Sequence, residues 1–210
     1  MSAVAEAVVL LHGLWMNRFV MAWHAHRLAS HGYAVHLFGY PSFARPLEAN
    51  AASLARFLGG LQARTLHLVG HSLGGVTAMA SLTARPELRV RRVVLLGAPV
   101  RGSAAGVQLA AHRIGRQLLG RSIGTWGITP VSEAPAGVEV GVIAGTRRLG
   151  IGAMFTRLSG PNDGVVTVAE TQLPGARDSV ILHVAHTQML VSPAVARQIE
   201  QFLRTGRFAR

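Results

Sequence analysis

A serine set between two glycines is the feature that most constrains the fold of this chain. Ser72 lies in a Gly-His-Ser-Leu-Gly segment at 70–74, directly after the apolar run 66–69 and directly before the helical pattern 73–84. A strand must therefore end, turn sharply and enter a helix within a few residues, and the glycines allow the close approach. This context is typical of a nucleophile elbow. The alternative is a plain glycine-rich turn whose serine only caps the helix.

Short apolar runs alternate with longer helical patterns along the rest of the chain. Several of the runs are rich in Val and Leu without polar alternation, as expected for strands that are buried on both faces. They predict strands at 7–11, 34–38, 65–69, 93–96, 138–144 and 180–184. The helical patterns predict helices at 19–30, 47–61, 73–84, 104–119 and 193–203. The alternation indicates an α/β fold, with a mainly parallel sheet of about six strands and helices on both faces.

Length and composition narrow the class of protein further. The 210 residues predict one domain over 1–210, with 102–137 as the candidate for a small cap or lid. Within and beyond that segment, 120–137 is the most irregular stretch and 146–162 is a second one. The chain has no cysteine, which excludes disulfides, thiolate metal sites and a cysteine nucleophile. The apolar run at 7–11 is too short for a secretory or membrane-spanning segment. We therefore expect a cytoplasmic protein.

The charge of the chain is strongly positive. Its formal net charge is +12, and all 21 basic residues are arginine. The arginines are scattered and form no stripe interleaved with aromatic residues, so we expect no nucleic-acid partner. A generic arginine-rich surface is the preferred interpretation, and weak attraction to a membrane surface is the alternative.

A serine hydroxyl becomes an effective nucleophile near neutral pH when a base lies beside it and a third group orients that base. In a parallel sheet these groups belong on loops that follow the carboxyl ends of strands. Of the two aspartates, Asp163 follows the predicted strand 138–144, whereas Asp178 precedes the last strand, at its amino end. We expect Asp163 to be the orienting acid, with Glu170 as the second choice.

One of the ten histidines must act as the base. His186 follows the last predicted strand, which gives the chain order Ser, Asp, His. His183 is the competitor, but it lies inside the strand pattern, where a buried, hydrogen-bonded histidine is expected. His71 adjoins the serine but faces the wrong way to be its base. The histidines at 24, 26, 31 and 36 are too irregularly spaced to indicate a metal site, so we interpret them as structural or surface groups.

Two backbone N–H groups are candidates for an oxyanion hole. The N–H of Leu73 lies at the start of a predicted helix, where such groups point outward. The N–H of Leu14 follows an early strand and a His-Gly turn at 12–13. A plain strand-ending turn is the alternative for this second segment.

Together these segments resemble the α/β-hydrolase superfamily, in its lipase- and esterase-like branch. The resemblance is carried by 12–14, 70–75, 97–99 with 102–103, 162–166, and His186 with 189–190. It implies Ser72 as nucleophile, His186 as base and Asp163 as orienting acid. It also implies Leu14 and Leu73 as oxyanion donors, in a minimal α/β-hydrolase fold that lacks the usual antiparallel edge and carries a short cap insertion.

These residues predict a hydrolase that cleaves carboxylic esters, acyl or lipid-like, through an acyl-enzyme. A thioesterase and a non-catalytic small-molecule binding protein on the same scaffold are the alternatives. We expect a small-molecule ester as substrate, no cofactor and no metal. The candidate pocket-lining residues are Trp15, Met16, Met154 and Phe155.

Overall fold

Six strands run parallel in one sheet, in the spatial order β2-β1-β3-β4-β5-β6. The computed structural model describes residues 4–111, 113–123, 131–149 and 158–210. The strands are β1 (Val4–Leu11), β2 (Ala34–Phe38), β3 (Ala63–His71), β4 (Val90–Leu96), β5 (Glu139–Gly145) and β6 (Asp178–Leu182). Because all of them point the same way, their carboxyl ends meet at one edge. The predicted α/β class is confirmed, and every strand pair is parallel.

Seven α-helices connect the strands in the described part of the chain. They are α1 (Ala22–Ser30), α2 (Leu47–Gly59), α3 (Leu73–Ala84), α4 (Ala104–Ala110), α5 (Arg113–Ile123), α6 (Val168–Thr171) and α7 (Pro193–Thr205). Short 3-10 helices lie at Arg18–Met21 and Thr187–Leu190. In the ranges described, no helix combines the length and the apolar character that crossing a membrane requires.

The predicted single helix at 104–119 is wrong in its extent. The structure has two helices there, and α5 extends past the predicted end to Ile123, with a kink at Gly120, whose φ of 65° is not helical. The apolar stripe continues through the break, and the Ala-Ala-His sequence at 110–112 contains no glycine or proline to mark it. Periodicity therefore had no signal for the interruption.

The two faces of the sheet bury separate apolar clusters. Side chains alternate along β1, so that Val8 and Leu10 belong to one cluster while Val9 and Leu11 belong to the other. Helices α2 and α3 cover the Val9 face, and α1 and α7 cover the Val8 face. Burial on both sides explains why the strands are rich in Val and Leu without alternating polar residues.

The last strand ends earlier than predicted. β6 stops at Leu182, and the N–H of Val184 donates to the Leu182 carbonyl at 2.9 Å in a local turn. His183 therefore lies outside the strand and is exposed, so the expectation that it is a buried histidine is wrong. The backbone after β6 instead leads directly to His186.

Candidate active site

Ser72 lies at the sharp turn between β3 and α3. Its φ of 54° is rare for a residue other than glycine. The Ser72 N–H donates to the Leu96 carbonyl at 2.9 Å, which fixes the turn against β4. A Cβ at Gly70 would lie 2.5 Å from the Gly75 nitrogen, and one at Gly74 would lie 2.6 Å from the His12 carbonyl oxygen. Glycines are thus required by close approach of strand and helix, as expected for an elbow.

Asp163 and His186 form a buried pair at the same edge. His186 Nδ1 lies 2.7 Å from Asp163 Oδ2, and the His186 N–H donates to the Asp163 carbonyl at 3.0 Å. The other carboxylate oxygen accepts the N–H groups of Val165 and Val166, at 3.0 and 2.8 Å. Because Nδ1–H donates a hydrogen bond to the carboxylate, Nε2 of the neutral His186 ring is left with a lone pair. The ring therefore has the tautomer that a general base requires.

His71 connects this pair to the elbow. Its Nε2 donates to the His186 carbonyl at 3.0 Å, and the two rings lie 4.7 Å apart. Burial, together with the nearby His186 ring, holds the pKa of His71 well below its ordinary value, so the ring is neutral. Its Nδ1 is buried and has no hydrogen-bond partner among the described residues. His71, next to Ser72, thus holds the loop that carries the candidate base His186. This supporting contact is compatible with the expectation that His71 is not itself the base.

A second histidine holds the other end of that loop. His24 Nε2 lies 2.8 Å from the Met189 carbonyl, which makes it a donor. Burial lowers the pKa of His24. The segment 186–189 is therefore fixed at both ends by imidazole-to-carbonyl hydrogen bonds. Sequence reasoning assigned His24 a structural or surface role but had no signal for this partner, which is 165 positions away.

The candidate oxyanion loop after β1 is supported from the β2 side. The Tyr40 hydroxyl donates to the His12 carbonyl at 2.6 Å, and the two rings stack with centroids 4.5 Å apart. Leu14 follows this fixed turn, and Gly13 packs beside the elbow, since a Cβ there would lie 3.2 Å from the Ser72 Cβ. Leu73 begins α3, where backbone N–H groups have no acceptor within the helix.

Gly97 packs directly on the buried pair. It follows β4 with a φ of 52°, and a Cβ there would lie 3.0 Å from Asp163 Oδ2 and 3.1 Å from His186 Nδ1. A larger residue would collide with both groups. The Gly-Ala-Pro segment at 97–99 was part of the family resemblance, but nothing in the sequence indicated this contact.

The remaining site predictions fall in different places. Glu170, the second choice for the acid, accepts the Thr167 N–H at 2.6 Å within the capping box of α6. Met16 is half-buried beside Gly13, with Sδ 3.5 Å from a Cβ built there, whereas Trp15 is 60% exposed. Met154 and Phe155 lie outside the described residues. Nothing in 4–111, 113–123, 131–149 or 158–210 groups three or more His, Asp and Glu side chains in a way that could hold a metal ion.

A cavity of about 550 Å³ lies elsewhere, against β5 and β6. The residues that line it include Arg101, Arg177, Val142 and Ile181. Neither Ser72 nor His186 lines it, so it is separate from the elbow.

Comparison with known proteins shows which family the chain belongs to. A model of the alpha/beta hydrolase family matches residues 8–208, and the chain belongs to that family. A 2-hydroxy-6-oxononadienedioate/2-hydroxy-6-oxononatrienedioate hydrolase of Paraburkholderia xenovorans (strain LB400) is 31% identical over 125 residues. That match covers 52% of this chain and 42% of the relative, so the chain matches less than half of that protein's length.

Solved structures of lipases and esterases share the fold. The mature form of a lipase from Bacillus licheniformis superposes with a TM-score of 0.74 at 20% identity, covering 98% of this chain and 93% of that one. A carboxylesterase from Bacillus subtilis gives a TM-score of 0.62 at 18% identity, covering 96% and 84%. At these identities the likeness establishes the fold, and family membership makes the protein an α/β hydrolase.

Proposed function

We propose that this α/β hydrolase is a serine hydrolase that cleaves carboxylic esters through an acyl-enzyme. The observation that carries the proposal is the buried 2.7 Å hydrogen bond between Asp163 and His186, at the sheet edge where Ser72 occupies a strained elbow. The Asp163–His186 hydrogen bond supplies the oriented base that nucleophilic acyl transfer by a serine hydroxyl requires. The esterase and lipase names of the structural neighbours point in the same direction.

In the first half-reaction, Ser72 Oγ attacks the acyl carbonyl carbon while His186 Nε2 takes the hydroxyl proton. Asp163 stabilises the imidazolium that forms. The negative oxygen of the tetrahedral intermediate accepts the N–H groups of Leu73 and Leu14. As the ester C–O bond breaks, His186 returns the proton to the leaving oxygen, and the alcohol departs.

In the second half-reaction, water attacks the acyl-enzyme. His186 removes a proton from the water, and a second tetrahedral intermediate forms in the same oxyanion hole. Its collapse releases the carboxylic acid and returns the proton to Ser72. The half-buried Met16, beside Gly13, and the exposed Trp15 are the proposed contacts for the acyl chain on the described side of the site.

The test is hydrolysis of short nitrophenyl esters by wild type and by Ser72→Ala. We expect kcat of the variant to fall by at least about ten-thousand-fold, with an unchanged far-UV circular dichroism spectrum. Ser30→Ala, an exposed serine at the end of α1, is the matched control and should keep full activity. Turnover by folded Ser72→Ala at the wild-type rate would contradict the proposal.

The same machinery serves thioesters, and the alternatives separate in one further comparison. Wild-type kcat/KM is measured for an ester and a thioester with identical acyl chains, and then across a series of lengthening chains. We expect the ester to be preferred. A preference for the thioester would change the substrate class, and no turnover of either would favour the non-catalytic binding protein.

A further inference from the structure

The loops at the carboxyl edge of the sheet carry an unusual distribution of charge. These carboxyl-end loops are the described residues 12–21, 39–46, 97–103, 146–149, 158–167 and 183–192. They contain five exposed arginines: Arg18, Arg45, Arg147 and Arg148, and also Arg101, which lines the separate cavity against β5 and β6 and is therefore set apart from the other four. The only carboxylate on them is Asp163, which is 1% exposed and paired with His186.

The opposite edge of the sheet is different. The described loops at the amino ends of strands are 31–33, 60–62, 85–89, 131–138 and 172–177. They carry Arg85, Arg89 and Arg177 beside the exposed Glu87 and Glu133, and the carboxyl-terminal segment adds Arg207 and Arg210 near the start of β6. On the carboxyl-end loops themselves the exposed charge is entirely positive, and Glu48 and Glu170 lie in the helices that follow two of these loops.

Apolar side chains are exposed on the same loops. In the described part of the chain seven large apolar residues are exposed, and five of them lie here: Trp15, Phe19, Phe43, Leu149 and Val191. Phe19 is 65% exposed, and the Arg18 guanidinium lies over its ring at 5.1 Å from the centroid. Exposing aromatic rings to water costs free energy. Aromatic rings beside arginine are typical of the boundary between lipid headgroups and acyl chains.

The strand order places these groups on both sides of the elbow. The two outermost strands of the sheet are β2 and β6. Phe43 and Arg45 follow β2, and Val191 follows β6. Ser72 follows β3, between them. With strands about 4.8 Å apart, the six strand ends span about 24 Å, a width that several headgroups occupy.

Neighbouring loops also contact one another. The Arg18 side chain packs against Gly39, since a Cβ at Gly39 would lie 3.3 Å from Arg18 Cδ. Arg147 donates to Gln188 Oε1 at 3.3 Å, which joins the loops after β5 and β6. Each half of the surface is therefore held together by direct contacts, and its charged and apolar groups can act jointly.

We propose that the carboxyl-end loops form a docking surface for anionic lipid, with arginines on headgroup phosphates and the exposed aromatic rings in the interface. Docking in this orientation turns the elbow toward the lipid. Charge complementarity selects anionic lipid over a neutral one, because each arginine near such a surface strengthens binding about fivefold. The proposal does not depend on ester hydrolysis, because binding is measured on a variant that lacks the serine hydroxyl.

The test is co-sedimentation of the Ser72→Ala protein with vesicles of equal parts phosphatidylcholine and phosphatidylglycerol, and with vesicles of phosphatidylcholine alone. We expect binding to the first that weakens as salt is raised, and little binding to the second. Adding Arg45→Gln and Arg148→Gln should weaken binding about 25-fold. Adding Phe19→Ser instead should weaken it about tenfold and leave a residual that salt removes.

The matched control is Arg64→Gln with Arg89→Gln, which removes the same charge from exposed positions at the amino edge. Binding by this variant should stay within about twofold of the parent, because these charges lie beyond a Debye length of the docked lipid. An equal loss in the control would mean that net charge alone drives binding, and the proposal would fail. It would fail too if neutral vesicles bound equally well, or if duplex DNA bound more tightly through the same arginines.

Discussion

At the scale of single residues, the catalytic account depends on how Asp163 is held. Its two carboxylate oxygens accept three N–H groups, from His186 Nδ1 and the backbone of Val165 and Val166. These three hydrogen bonds leave the carboxylate little freedom to rotate. The carboxylate is therefore fixed in position before any substrate arrives, and it fixes the tautomer of His186.

Asp163→Asn tests this interaction. The amide retains the shape of the carboxylate but presents an N–H or a weaker acceptor to Nδ1, so the imidazole loses its required tautomer and its charge partner. We expect kcat on a nitrophenyl ester to fall about ten-thousand-fold while the protein remains folded. Glu170→Gln is the control and should cost only stability, through the capping box of α6. A severe loss of kcat in Glu170→Gln, with little loss in Asp163→Asn, would show that Glu170 and not Asp163 is the orienting acid.

Gly97→Ala tests the packing on the pair. The new methyl would lie 3.0 Å from Asp163 Oδ2, so we expect kcat to fall about a hundredfold as the carboxylate is displaced, in addition to the backbone strain. Gly32→Ala is a matched control, because its φ of 88° is equally unsuited to alanine but nothing lies within 4 Å of the added Cβ. Both variants should melt at lower temperature, and only the first should lose activity. Equal kcat values in the two variants would exclude the packing role.

The residues with a proposed chemical role were accessible from sequence, whereas their supports were not. Ser72 is indicated by its local turn, and Asp163 by its position after a strand and the scarcity of carboxylates. The supports, His24 and Tyr40, contact backbone carbonyls 165 and 28 positions away, respectively. A hydrogen bond to a carbonyl depends on where the backbone passes in space, and any residue type supplies that carbonyl. No pattern in the sequence therefore marks it.

At the scale of elements, β3 and α3 form the most buried strand-to-helix unit of the site. Residues 66–71 of β3 are buried, as are most of the residues of α3. Such segments carry strong apolar signals, which is why their positions were predicted well. The boundary between α4 and α5 was not, because the apolar stripe there runs on through the break, and tertiary contacts decide where each helix stops.

A buried histidine in β3 makes stability depend on pH. Burial, with Arg92 and Arg91 nearby, lowers the pKa of His67 from 6.5 to about 4, while the nearby Glu139 opposes the shift. Neither ring nitrogen has a hydrogen-bond partner among the described residues. Because the unfolded chain binds a proton below pH 6.5 and the folded one does not, the free energy of unfolding falls as the pH drops from 6.5 toward 4.

His67→Leu should remove this contribution. Between pH 6.5 and pH 5 we expect wild type to lose about 2 kcal/mol more free energy of unfolding than the variant, as measured by urea denaturation. At pH 8 histidine is neutral in both the folded and the unfolded state. The difference in free energy of unfolding between the two proteins at that pH therefore gives the effect of the substitution on packing alone. Parallel curves for the two proteins across this range would mean that His67 titrates alike in the folded and unfolded states.

At the scale of the whole molecule, the parallel sheet produces one functional edge. It gathers Ser72 from β3, Gly97 after β4, Asp163 after β5 and His186 after β6. The same edge carries exposed arginine and aromatic residues, while carboxylates are found on loops of the other edge. The topology of the sheet thus brings positions that are scattered along the sequence onto one surface. Chain order alone led to the prediction that Ser72, Asp163 and His186 share this edge, but it gave no prediction for the exposed arginine and aromatic residues.

The central claim is that Ser72 is the one activated hydroxyl, and covalent labelling with a fluorophosphonate tests it most directly. Mass spectrometry of the folded protein should show a single adduct on the peptide that contains Ser72, with no adduct in Ser72→Ala and slower labelling in Asp163→Asn. An adduct on a different serine, or a folded wild-type protein that stays unlabelled, would contradict the account.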